Sequence, residues 1–129
     1  AKQYRQISPN IRNLREFLIH GLKYMFVPDR GEITRGIPTG YASPFLDDLF
    51  VSDGEPIPVW PHPEGEARGM SFSPLYKSAP AAAVRDKRLY ELLALVDAIR
   101  GGRAREQKMA SDRLDQLLVH YASPIQSQY

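Results

Sequence analysis

Leu89, Leu92, Leu93, Val96 and Ile99 recur at intervals of three and four, the spacing that lines one face of an α-helix, and predict a helix from Asp86 to Arg100. Asp86 stands where a helix cap belongs. Gly101 and Gly102 follow the last periodic residue, where a left-handed C-cap suits glycine better than any other residue. The pattern then resumes at once: Ala110, Leu114, Leu117, Leu118 and Tyr121 form the apolar stripe of a helix from Arg103 to Tyr121. So short a connection sets the two helices antiparallel, as a helical hairpin. A third helix comes earlier. Ser8 reads as its N-cap and Pro9 as its first residue, and Ile11, Leu14, Phe17, Leu18, Leu22, Met25 and Phe26 carry the stripe. Arg12, Asn13, Arg15, Glu16 and Lys23 take the other side, and Val27-Pro28 ends the helix, because the residue before proline is pushed out of the helical region.

Between these helical patterns the texture changes. Prolines at 28, 38, 44, 56, 58, 61, 63, 74 and 80 and glycines at 31, 36, 40, 54, 65 and 69 exclude long regular elements. Aromatic residues are spread through the same stretch (Tyr41, Phe45, Phe50, Trp60, Phe72 and Tyr76), whereas disordered segments are poor in them, so an ordered, irregular strap is expected. Within it Ser43-Pro44 repeats the cap signature ahead of a short helix through Phe45, Leu46, Leu49 and Phe50, ending before Asp53-Gly54. Ile57 to Trp60 reads as extended and pairs, across Glu64-Gly65-Glu66, with Arg68 to Phe72 as a small hairpin whose prolines confine the first strand to an edge. Pro80 to Val84 makes one more helical turn.

The expected fold is therefore mainly α, with three principal helices, the first helix plus a C-terminal antiparallel hairpin, and a long Pro/Gly-rich strap carrying short helices and a small β-hairpin. At 129 residues the chain is one domain: a polar lead-in over 1–8, a helix over 9–27, the strap over 28–84, the hairpin over 85–121 and a tail over 122–129. Composition adds exclusions. Hydrophobic residues at 43% and charged residues at 25% are ordinary globular values, and no apolar run approaches the roughly 20 residues that span a bilayer. With no cysteine there are no disulfides or zinc thiolates, which fits a reducing cytoplasm. A formal charge of +2 and a pI near 9.0 are too mild to imply nucleic-acid binding by themselves.

Catalytic motifs are absent: there is no phosphate loop, GxGxxG, GxSxG or HExxH. With no acid, base and nucleophile set visible, no enzyme and no cofactor are expected. Asp47 and Asp48 are adjacent, and on a helix adjacent residues point about 100° apart. His20 and His120 lie at or beside apolar helix faces and take packing or solvent-facing roles. Trp60 and His62 belong to WPHPEGE, where Glu64 and Glu66 stand close, but three donors fall short of a ligand set and no metal site is assigned. The segment Thr34 to Tyr41 is the best ligand loop. Its glycines permit close approach, and Thr34, Arg35, Thr39 and Tyr41 offer hydrogen bonds; a turn covering the core explains the same residues. At the hairpin tip Arg100 suits a helix C-terminus, whereas Arg103 and Arg105 occupy a first turn, where the helix dipole disfavours positive charge. Glu106 offsets that locally, and so would a bound anion or an acidic partner surface.

The ordered segments LREFLIHGLKYMF (from Leu14), TRGIPTGYASP (from Thr34), PVWPHPEGEARG (from Pro58), PLYKSAP (from Pro74) and LYELLALVDAIRGGRARE (from Leu89) together resemble the C-terminal region of bacterial winged-helix, MarR-type or helix-turn-helix transcriptional regulators. The resemblance implies a regulatory domain that forms a homodimer and recognises an effector or a partner protein, with DNA read by an N-terminal portion missing from these residues. The polar lead-in then reads as an interdomain linker. The alternative is an antitoxin- or adaptor-like protein that holds an acidic or nucleotide-bearing partner.

Overall fold

The computed structural model describes residues 7–46 and 56–122. Its elements run α1 (residues 7–25), β1 (Arg30–Pro38), a 3-10 turn (Gly40–Ala42), β2 (Pro58–Pro61), β3 (Ala67–Phe72), α2 (Ala79–Arg85), α3 (Lys87–Gly101) and α4 (Ala104–Ala122). This is a mixed α/β architecture, mainly helical but with a three-stranded sheet where an irregular strap was expected. The predicted helices over 45–50 and the charged pair Asp47-Asp48 fall largely outside the described residues, as do residues 1–6 of the lead-in and the tail beyond Ala122.

α3 is the centre of the molecule. Asp86 caps it as expected, its carboxylate accepting the backbone N–H groups of Arg88 and Leu89. Its burial is not the one-sided stripe its periodicity predicts, for every residue from Leu93 to Arg100 is buried. Helices α1 and α4 cover one side, with Leu18, Ile19 and Leu22 meeting Leu95, Val96, Ile99, Ala110, Leu114 and Leu118 in one core. The sheet and α2 cover another through Trp60, Ala79, Ala83 and Leu93. The C-terminal turn departs from expectation: Gly102 is extended (φ −82°, ψ 167°), not left-handed. Closeness is what both glycines supply. A Cβ on Gly101 would stand 2.7 Å from the Phe72 ring and one on Gly102 2.3 Å from the Ala98 carbonyl oxygen.

α1 is three segments in series, Ile7–Glu16, a π-helical turn Phe17–Gly21, and Leu22–Met25. It already includes Ser8, so Ser8 is not its cap. The wider π turn rotates the buried face, which runs through Ile11, Leu18, Ile19 and Leu22 and leaves half of the predicted stripe outside. Leu14, Phe17, Met25 and Phe26 are exposed. Paired carboxylates and guanidinium groups pin the helices together at the surface: Arg15 of α1 engages Asp115 of α4, and Arg113 of α4 engages Glu91 of α3.

Each strand pairs with both others, so the sheet closes on itself. The first half of β1 runs antiparallel to β3 (Thr34 opposite Gly69, Gly36 opposite Ala67), and its end runs antiparallel to β2 (Gly36 opposite Pro61, Pro38 opposite Val59). The predicted partners, 57–60 and 68–72, do meet, but in parallel (Pro58 opposite Met70), and β2 is flanked on both sides instead of lying at an edge. Prolines 58 and 61 are tolerated because they bound so short a strand; Thr39 N–H donates to the Pro58 carbonyl at 3.0 Å. Ser43, read as a helix cap, turns its hydroxyl back onto the Gly40 carbonyl at 2.8 Å, and Gly40 alone among the described residues has positive φ (61°).

Candidate functional site

A helix buried on all sides must satisfy its polar side chains internally. In α3 these are Asp97 and Arg100, whose side chains are 1% and 3% exposed. One carboxylate oxygen of Asp97 accepts the Thr39 hydroxyl and the Trp60 indole N–H, each at 2.7 Å; the other accepts Arg100 Nη1 at 2.7 Å. Arg100 Nε donates to the Phe26 carbonyl at 2.9 Å, and the guanidinium lies 5.5 Å from the centre of the Phe72 ring. Burial pushes the Asp97 carboxyl above its ordinary value, and Thr39, Arg100 and Trp60 oppose that shift. Three candidate ligand-binding residues, Thr39, Trp60 and Arg100, are thus brought together, but around a carboxylate that sequence reasoning missed. Among the described residues no buried side-chain nitrogen or oxygen is left without a hydrogen-bond partner. It is a clamp that ties the 38–43 turn, β2 and the end of α1 to α3, and Arg100 belongs to the core and not to a basic surface patch.

Tyr90 extends the clamp. Its hydroxyl donates to the Pro38 carbonyl, and its ring packs edge-on to Phe45 at 5.1 Å and tilted against Trp60 at 5.7 Å. Burial pushes the phenol up to about 12. Because this folded-state value lies above the unfolded value near 10, the neutral hydroxyl's contribution is fully present below about pH 10 and is lost as pH rises from there towards 12. Urea midpoints are therefore expected to fall across that window more steeply for the parent chain than for Tyr90→Phe; parallel curves would contradict the assignment.

The remaining candidates lie at the surface. Glycines 36 and 40 of the predicted ligand loop serve the fold. Thr34 is half-buried and its hydroxyl donates to the Arg35 carbonyl at 3.4 Å; Tyr41 is half-buried in the middle of the 3-10 turn. Arg35 is exposed, and its carbonyl accepts the His62 N–H at 3.2 Å, so these two candidates from distant segments become neighbours. Arg68, not singled out from sequence, stands directly opposite Arg35 on β3. Its signal was the strand pairing, which local patterns do not reveal. The His62 ring accepts the Glu64 N–H at Nδ1, and no group of three or more metal-ligating side chains converges among the described residues. At the hairpin tip Arg103 and Arg105 are exposed, and Glu106 reaches back to the Arg103 N–H at 3.1 Å, the local answer to positive charge in a first turn. A shallow cleft of about 240 Å³ opens between α1 and α4, where His20, Lys23 and Lys108 surround a floor that includes Ile19 and Ile99.

No helix among the described residues is long and apolar enough to cross a membrane. Comparison with family models, curated proteins and solved structures finds no match to the chain.

Proposed function

We propose that this chain is a non-catalytic association module, the C-terminal dimerisation and partner-recognition part of a bacterial winged-helix regulator whose DNA-reading portion is separate. The observation that carries the reading is the apolar flank of α1. Leu14 (45% exposed), Phe17 (38%), Tyr24 (76%) and Met25 (69%) of α1 all reach solvent, as does Val27 (69%) just beyond its end. Single exposed apolar residues are ordinary, but a run on one helix is the mark of an interaction surface. The buried polar cluster supports the same reading from the other direction, since its titratable groups are consumed by the fold and offer no substrate access.

A second chain laid on this flank would bury it as a helix pair. Sedimentation equilibrium is expected to give a dimer mass at high micromolar concentration. Phe17→Glu/Met25→Glu, which sets carboxylates on an exposed face without touching the core, is expected to weaken association at least about tenfold, or about 1.4 kcal/mol. A monomer mass up to near-millimolar concentration, or a variant that associates as the parent does, would sink the proposal.

A further inference from the structure

We propose that the outer face of the sheet docks an acidic segment of another protein, whose carboxylates are held by Arg68, Arg35 and His62. The strand registers put these three side by side. Arg35 lies opposite Arg68 across β1 and β3, and since Gly36 pairs with Pro61, the next position sets Arg35 opposite His62, whose N–H donates to the Arg35 carbonyl. Neighbouring strands are about 4.8 Å apart, so the three span a row about 10 Å long. The row faces outwards. On the opposite face Gly36 and Gly69 are pressed against the carbonyl oxygens of Trp60 and Ile57.

Two arginines directly opposite in a ladder repel, and a sheet keeps such a pair at some cost in stability. Neither guanidinium forms an ion pair with a carboxylate among the described residues, although Glu64 and Glu66 stand exposed in the nearby turn. A local rule broken without a counterpart among the described residues points to an external one. The adjoining row on the same face decides what kind. Ile33, half-exposed, lies opposite Met70, so the guanidinium pair is bordered by an apolar pair. Guanidinium forks match carboxylates in bidentate fashion, and an apolar border suits the side chains of a polypeptide. A nucleic-acid backbone fits less well, because a net charge of only +2 supplies little of the extended positive field that a run of phosphates needs. This surface is independent of self-association through α1, because the two lie on different elements.

The test is an array of random dodecapeptides probed with the full chain and with R35Q/R68Q. Peptides retained by the parent are expected to be enriched in Asp and Glu next to apolar residues. R35Q/R68Q is expected to lose at least about tenfold in affinity for the best of them by fluorescence anisotropy, and Arg35→Lys/Arg68→Lys, which keeps the charge but not the fork, to fall between. The urea midpoint of R35Q/R68Q should equal or exceed the parent's, since a repulsion is removed. Absence of acidic enrichment, equal retention by R35Q/R68Q, loss of its fold, or tighter binding to duplex DNA than to any peptide would each overturn the proposal.

Discussion

Asp97→Ala is expected to leave the chain largely unfolded at room temperature. The substitution strands the Arg100 guanidinium in the core, which costs about 3–5 kcal/mol when a buried pair loses one partner. It also leaves the Thr39 hydroxyl and the Trp60 N–H without their acceptor, at about 1–3 kcal/mol each. Against a total stability of roughly 5–15 kcal/mol for a domain of this size, the sum removes most or all of the margin. Replacing both charges is expected to be milder than removing one: Asp97→Leu/Arg100→Met leaves no unpaired ion behind, and should unfold at a higher urea concentration than Asp97→Ala. Far-ultraviolet circular dichroism and the emission of Trp60, the only tryptophan, follow both. An Asp97→Ala chain whose unfolding free energy lies within about 1 kcal/mol of the parent's would show that the clamp does not hold the sheet to α3.

Gly36→Ala carries the second large effect. A methyl at that position would stand 2.1 Å from the Trp60 carbonyl oxygen and 2.7 Å from its carbon, a collision with backbone and not with a side chain that can swing away. The backbone cannot retreat either, because Trp60 is anchored through its indole to Asp97 and β2 is hydrogen-bonded on both sides. A cost of about 3 kcal/mol or more is expected, at or beyond the upper end of ordinary overpacking. Gly31→Ala, on the same strand, is the control. Its methyl would meet the Ser71 Cβ at 3.3 Å, a contact between an exposed position and a half-buried small side chain that can give, and a change of less than about 1 kcal/mol is expected. Equal urea midpoints for the two variants would refute the close three-strand packing.

The contrast between these positions explains what could be read along the chain. α3, α4 and most of α1 are legible because a helix is specified by residues three and four apart, and the Asp86 cap by its immediate neighbours. β1 is not. Its partners lie 21 to 42 residues away, and Gly36 and Pro38 look locally like breakers when they are in fact positions where strands touch or end. Gly36 and Gly40 make Thr34 to Tyr41 resemble a ligand loop, although Thr39 is buried and its hydroxyl donates to Asp97. Asp97 was present as a lone acid inside an apolar run, with Arg100 three residues on; what gives it meaning is the burial of α3 on every side, and that depends on a sheet invisible to local periodicity. The π turn in α1 likewise leaves no trace in the spacing of Leu14, Phe17 and Leu18, yet it decides which of them reach solvent. Of the surface candidates, Arg35 and His62 survive as neighbours, whereas Arg100 was misassigned because a cation at a helix end reads as exposed.

The central claim, that the chain works by association through α1, is tested most directly by amide hydrogen exchange at two concentrations. On going from low micromolar to near-millimolar protein, amides of residues 14–27 are expected to gain protection, while those of the buried run from Leu93 to Ile99 stay as they were. Identical exchange along α1 at both concentrations would contradict the account.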